Sequence, residues 1–219
     1  MRRDQNTKDI LSLKKEIAYF MRRLYRQRLT TTSGGNISAL FHDIVLLTAS
    51  ATDKARISSS EIIEMNMGGE KICHGPKASI ESKMHLSIYK ARKDVRAIVH
   101  AHPPKGSALS ASSVTIREDL IAETRAVLGK IAYADYELMG SENLAETVAK
   151  ATKNSDCIVM RNHGVIALGK DLLQAFDRLE VLEAAAEMTI LHEGVLKGSS
   201  LCLSKSELRA LDVMQGRIK

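Results

Sequence analysis

The amino-acid sequence predicts an α/β fold in a single domain, residues 1–219: a three-layer α/β/α sandwich about a central, mostly antiparallel sheet. Three observations predict it. Apolar runs of strand length come in adjacent pairs joined by short polar turns, so hairpins prevail over βαβ crossovers. Amphipathic helical patterns precede, separate and follow those runs, as helices layered on both faces of a sheet require. The chain has 219 residues, 44% of them hydrophobic and 26% charged, which suits one buried core and excludes a disordered chain.

Each element has its own signal. Over residues 8–28 the apolar positions Ile10, Leu11, Leu13, Ile17, Phe20, Met21 and Leu24 recur at helical spacing, and TTTSGGNIS ends that helix. NISAL and DIVLLTA read as two strands about the turn Phe41-His42-Asp43. SSSEIIEMNMGGEKI adds a helical turn, a strand and a hairpin at Gly68-Gly69. Residues 82–92 carry Met84, Ile88 and Ala91 on one side of a helix, and Lys93-Asp94 leads on to the strand RAIVHAH, which Pro103 and Pro104 terminate. Between 104 and 128 the periodicity is weak and fits short helices. After KIAYADYEL comes a helix over 142–153 with Ser141 as its cap. DCIVMRNHGVIALG reads as two buried strands meeting at Asn162-His163-Gly164, rich in β-branched residues. A long helix over 172–191, closed near Gly194, and a last one over 205–214 complete the chain.

Composition narrows the function classes. The net charge of +6 admits anionic partners, although most of it reads as solvated surface. The densest basic cluster, Arg22, Arg23, Arg26 and Arg28, spreads around a helix axis with few aromatic residues to stack on bases, so nucleic acid is not expected. Cys73, Cys157 and Cys202 are odd in number and widely spaced, which fits neither a disulfide framework nor a thiolate zinc site. No segment has the apolar length of a membrane span or the pattern of a signal peptide, so a soluble, cytoplasmic protein is expected.

The stretch AIVHAHPP holds two of the seven histidines, His100 and His102. Residues two apart in a strand point to one face, roughly 6.5 to 7 Å apart at Cα, so both imidazoles can reach a single ion. His163, where two strands meet beside Gly164, can supply a third. Taken alone, the pair also fits histidines capping polar groups at a strand end, and His163 a satisfied core histidine. SGGNIS allows a backbone nest whose N–H groups face an anion, with the Asn36 amide as a further donor, although an ordinary Gly-Gly turn reads the same way.

In SGGNIS, LLTAS, KASIESKMHLSIYKA, VRAIVHAHPP and VMRNHGVIALGKDLLQAFDRLEVLE, in this order and spacing, the chain resembles the class II aldolase/adducin family across most of its length. The resemblance implies zinc, or another divalent cation, on His100, His102 and His163. It makes Glu81, at the end of Lys77-Ala78-Ser79-Ile80-Glu81, the catalytic carboxylate; unaided, Glu81 reads as a solvated first-turn glutamate favoured by the helix dipole. It sets Gly35, Asn36, Ser50, Ser79 and position 80 around a substrate phosphate. Ile80 stands where the family has a serine and Ala51 where it has a glycine, so one hydroxyl donor is missing.

Family aldolases also use a tyrosine from a neighbouring subunit and another in the tail. This chain's tyrosines are Tyr19, Tyr25, Tyr89, Tyr133 and Tyr136, none in the tail, and Arg117, Glu118 and Asp119 fall near the place of the first, so no proton-donating acid is assigned. His85, one turn beyond Glu81, is placed to steady that carboxylate but reads first as a helix-face packing residue, and His42, His74 and His192 read as surface or locally hydrogen-bonded groups.

The implied activity is reversible cleavage of a ketose 1-phosphate, of the L-fuculose 1-phosphate kind, to dihydroxyacetone phosphate and an aldehyde through a metal-stabilised enediolate. The implied assembly is a homotetramer with active sites between subunits. Alternatives within the family are a pentulose-phosphate 4-epimerase, a 3-oxo-sugar-acid-phosphate decarboxylase and a methylthioribulose-phosphate dehydratase. The non-enzymatic alternative is an adducin-like assembly module, a type that lacks the three histidines.

Overall fold

The computed structural model describes residues 2–72, 74–197 and 201–218, so Cys73 lies outside the described residues. In chain order the elements are α1 (Arg2–Arg26), β1 (Asn36–Phe41), β2 (Ile44–Thr48), β3 (Ile62–Asn66), α2 (Ser82–Ala91), β4 (Ala97–Ala101), α3 (Pro104–Ser110), α4 (Ala122–Leu128), β5 (Ile131–Ala134), α5 (Glu142–Ala151), β6 (Cys157–Met160), β7 (Gly164–Gly169), α6 (Leu172–Gly194) and α7 (Lys205–Met214).

All seven strands form one sheet in the order β3-β2-β1-β4-β7-β6-β5. Every neighbouring pair is antiparallel except β5–β6, which α5 connects as a crossover. The alternation of side chains along each strand divides the core in two. On β4, Ala97, Val99 and Ala101 pack with Ile17, Met21 and Leu24 of α1 and Phe176, Leu179 and Leu182 of α6. Ile98 packs on the other side with Met84 and Ile88 of α2 and Leu144 and Val148 of α5. These helix residues are 0–1% exposed, and each large apolar side chain so buried contributes about 1.5–3 kcal/mol. The outcome is the expected α/β/α sandwich with a mostly antiparallel sheet.

Differences from expectation lie at element ends. α1 begins six residues before residue 8, because no proline or glycine breaks the polar run 2–7, and it stops at Arg26 ahead of Arg28, whose φ is 59°. Only Ile131–Ala134 of KIAYADYEL joins the sheet. α5 ends at Ala151, and Thr152–Asn154 tightens into a 3-10 turn. The weakly patterned stretch 104–128 resolves into α3 and α4, with Pro104 at the first turn of α3, where its missing N–H costs nothing.

Candidate active site

His100 takes the Ile98 face of β4 and is fully buried, and His102 follows on the same side just past the strand. β4 pairs with β7, which sets His163, in the β6–β7 turn, beside them. The imidazole centroids are 4.8, 5.1 and 5.5 Å apart. One ligand nitrogen from each ring lies within 4.8 Å of the others, close to the span covered by two metal–nitrogen bonds of about 2.1 Å.

Two glycines make this approach possible. A Cβ on Gly164 would stand 2.6 Å from both the Ala101 carbonyl oxygen and Cδ2 of His102. One on Gly35, whose φ is +65°, would stand 2.7 Å from the His100 carbonyl oxygen.

Glu81 is 6% exposed and its side chain caps nothing on α2. The solvated-glutamate reading is therefore wrong: the carboxylate turns in toward the histidines. Oε1 lies 2.9 Å from Nε2 of His163 and Oε2 lies 3.3 Å from Nε2 of His100. His100 donates its Nδ1 proton to the Val165 carbonyl at 2.9 Å, which turns Nε2 toward the site and the Glu81 carboxylate. Nε2 of His100, both ring nitrogens of His163 and Oε1 of Glu81 are buried without a hydrogen bond among the described residues. Ring nitrogens and a carboxylate crowded and buried around one point without a well-formed hydrogen bond are costly, and a cation there would relieve that cost.

Burial disfavours a charged His100 imidazole, but Glu81 and the Val165 carbonyl outweigh it and raise its pKa, so carboxylate and ring balance charge between them at the point where a cation would otherwise supply it. Burial opposes ionisation of Glu81, but the neighbouring His100 and His163 outweigh it and hold the carboxyl far below its usual range. Burial, reinforced by His100 and His163, lowers His102 to about 3, so it stays the neutral imidazole that a metal needs.

Oε2 of Glu81 accepts from Nδ2 of Asn36 at 2.7 Å. A carboxylate only accepts, so the amide NH2 must face it and Oδ1 of Asn36 must accept from Nε2 of His85. Nδ1 of His85 then accepts from Ser38 Oγ at 2.7 Å, and Ser38 Oγ accepts from the Tyr89 hydroxyl at 2.8 Å. Tyr89, Ser38, His85 and Asn36 thus form a donor chain directed at Glu81. Burial lowers His85 to about 3, which keeps it neutral. Of the two readings of His85, helix-face packing gives way to the other: it steadies the carboxylate, by orienting the amide that holds it. The available signal was the spacing of Glu81, His85 and Tyr89, four apart on one helix face.

The residues expected around a phosphate converge. An isolated bridge between Ala49 and Ala78 and a bond from Ser50 N to the Lys77 carbonyl, 3.0 Å, hold LLTAS against KASIE. A cavity of about 190 Å³ is lined by Gly35, Asn36, Ser50 and Ser79 and opens on Glu81 and His102. Asn36 spends its amide on Glu81 and on Ser79 Oγ, 3.2 Å away. Ala51 has a φ of 53°, a left-handed conformation that favours glycine, and Ile80, also lining the cavity, is 61% exposed. Lys54, which the sequence reading passed over, also lines this cavity.

Arg117, Glu118 and Asp119 do not join the site. Arg117 pairs with Asp119 and Glu193, while Glu118 binds Arg125 and the Ile131 N–H. Tyr89 is buried in the donor chain, Tyr133 accepts from Ile116 N, and no tyrosine lines the cavity. His42 and His74 are exposed, and His192, 6% exposed, makes a local hydrogen bond to Glu193 at 3.3 Å, each within its expected reading. A larger hollow of about 590 Å³ lies elsewhere, and its arginines Arg92, Arg125 and Arg217 are all paired with carboxylates. Among the described residues no helix is long and apolar enough to cross a membrane.

A family model described as the class II aldolase and adducin N-terminal domain matches residues 15–190. The chain is 38% identical over 179 residues to an L-fuculose phosphate aldolase of Methanocaldococcus jannaschii, covering 82% of this chain and 96% of that one. It is 29% identical over 189 residues to a 3-oxo-tetronate 4-phosphate decarboxylase of Haemophilus influenzae, covering 84% and 90%. A solved L-fuculose 1-phosphate aldolase superposes with a TM-score of 0.82 at 30% identity, over 93% of this chain and 95% of that one.

Proposed function

The chain belongs to the class II aldolase and adducin family, and from that premise we propose that it is a divalent-metal-dependent aldolase, zinc being the expected ion. Its reaction is the reversible cleavage of a ketose 1-phosphate to dihydroxyacetone phosphate and an aldehyde. The observation that carries this reading is the set of buried ring nitrogens and carboxylate oxygen that converge, without a hydrogen bond among the described residues, beside a nest-lined cavity. An assembly module has no use for so costly an arrangement.

His100, His102 and His163 would hold the ion. When bound, it supplies Lewis-acid charge for the carbonyl and adjacent hydroxyl oxygens of the sugar. Asn36 occupies Oε2 of Glu81 and leaves Oε1 as the working oxygen. In the condensing direction Oε1 takes a proton from the dihydroxyacetone phosphate carbon that attacks the aldehyde, and in cleavage it returns that proton. Gly35, Ser50 and Ser79 hold the phosphate and so fix the distance from that carbon to Glu81. Residues 1–219 form one domain in this reading, and a homotetramer in the cytoplasm, with active sites between subunits, completes it.

The test is the metal-replete protein assayed against a panel of ketose phosphates with coupled detection of dihydroxyacetone phosphate. Release from at least one ketose 1-phosphate is expected, and none from any would overturn the aldolase reading. The Haemophilus relative favours a second reading, decarboxylation of a 3-oxo acid phosphate, which carbon dioxide release in the same panel would reveal. His100→Ala should lose most bound metal by plasma emission. Glu81→Gln should keep the metal and lose activity by about 100-fold or more; full activity in that variant would remove Glu81 from its role.

A further inference from the structure

The sugar-phosphate reading leaves the one basic side chain that lines the cavity, Lys54, without a task. Lys54 is 1% exposed. Its Nζ donates to the Ala49 carbonyl at 3.1 Å and to Thr52 Oγ1 at 2.9 Å. Its backbone N–H donates to the Thr32 carbonyl at 2.9 Å, so the residue ties the loop after β2 to the loop before β1, the two loops that wall the cavity. Neither side-chain acceptor carries charge, and Lys54 forms no ion pair among the described residues. An ammonium has three N–H groups, and the two acceptors account for two.

A buried cation without a counter-ion is unfavourable and is retained where a ligand supplies the missing charge. Burial pushes the amine down to about 8 against a weaker pull from Glu61, which marks how poorly the empty protein compensates it. Lys54 is also the one lysine or arginine among the residues lining this cavity. Across the cavity mouth, position 80 presents an isoleucine, which donates nothing.

We propose that Lys54 is the phosphate-recognising cation of this site: its charge and third N–H select a dianionic phosphoryl group and offset the hydroxyl that Ile80 lacks. The proposal rests on the sugar-phosphate reading above and adds the residue that sets specificity. It implies that selectivity for a phosphorylated over an unphosphorylated ketose depends on this side chain more than on Ser50 or Ser79, which offer neutral hydroxyls.

The test uses the metal-replete protein and inorganic phosphate as probe. In calorimetry, phosphate should bind the parent and bind Lys54→Met about 10- to 100-fold more weakly, the loss of one charge-assisted hydrogen bond. Lys54→Arg should recover part of that loss. With a ketose phosphate that the parent turns over, KM should rise far more than kcat falls in Lys54→Met, and the preference for phosphorylated over unphosphorylated substrate should shrink by the same factor. Phosphate affinity within about threefold of the parent, in a folded Lys54→Met, would overturn the assignment while leaving the aldolase reading intact. If the parent neither binds phosphate nor turns over any ketose phosphate, both fail together. Should Lys54→Met not fold, the parent decides the matter: saturating phosphate should raise the Lys54 amine pKa in a carbon-13 NMR titration at Cε, and an unmoved titration would refute the proposal.

Discussion

Three side chains at or behind this site, Ala51, Lys54 and Tyr89, each have a measurable consequence. Ala51 sits at a φ of 53°, where a Cβ costs about 1–2 kcal/mol, while glycine in its place gives back about 0.5–1 kcal/mol in unfolded-chain entropy. Ala51→Gly should therefore raise stability slightly, by up to about 1 kcal/mol, read as a small increase in melting temperature. Lys54 carries the opposite burden. Its folded pKa, about 8, lies below the ordinary 10.5, so between those values the unfolded chain binds more protons and stability rises with pH. Below pH 8 the whole penalty, at most about 3 kcal/mol, is present. Lys54→Met should accordingly exceed the parent in stability at pH 7, less whatever the lost bond to the Ala49 carbonyl costs, and its advantage should fade as pH climbs toward 10.5 in matched denaturant titrations. Tyr89→Phe removes the first donor of the chain aimed at Glu81. It should lower turnover by about 10-fold with metal content unchanged, in keeping with one neutral hydrogen bond of about 1–1.5 kcal/mol. At this scale the sequence was legible where chemistry lies in local spacing, as in His100-x-His102, and mute where partners are remote. His85 meets Asn36 across 49 positions, and Lys54 owes its burial to loops at 30–35 and 49–54 that no periodicity describes.

Element boundaries show the same division. Strands and long helices declare themselves by period, which is why β1, β2, β4, β6, β7 and α7 lie where their apolar alternation or capping residues place them. The stretch between β4 and β5 is opaque because its order comes from α6. Glu183 reaches across to accept from the backbone N–H groups of Lys105 and Gly106 at 3.0 and 2.8 Å, capping α3 where no local side chain does. Burial raises the Glu183 carboxyl pKa while these two amides and Lys105 pull it down. Glu183→Ala should cost about 1–2 kcal/mol of stability by chemical denaturation. Because α3 starts two residues after His102, the same change should weaken metal retention during dialysis against a chelator.

For the whole molecule, the order β1-β4-β7 sets Asn36, His100 and the turn bearing His163 side by side although they span much of the chain. The sequence announced the hairpins but not this order, since β3 to β4 and β4 to β7 are joined through helices whose handedness and docking are tertiary properties. A cation gripping both β4 and the β6–β7 turn binds only the folded state, so removing it should destabilise the entire domain. At metal 100-fold above its Kd the linkage is about 2.7 kcal/mol, and a chelator should lower the melting temperature by several degrees, reversed by adding zinc back. An unchanged melting temperature would argue that the histidines hold no ion.

The pairing of Asn36 with His100 and of His100 with Ile166 carries one more implication. Because side chains alternate, a β4 shifted by a single position would send both imidazoles of that segment into the α1–α6 half of the interior. An ion held by the three histidines would therefore proofread strand alignment. In refolding with cobalt as a coloured surrogate, the visible absorbance should count correctly zipped molecules, and a population with native ellipticity but no colour would be the slipped form.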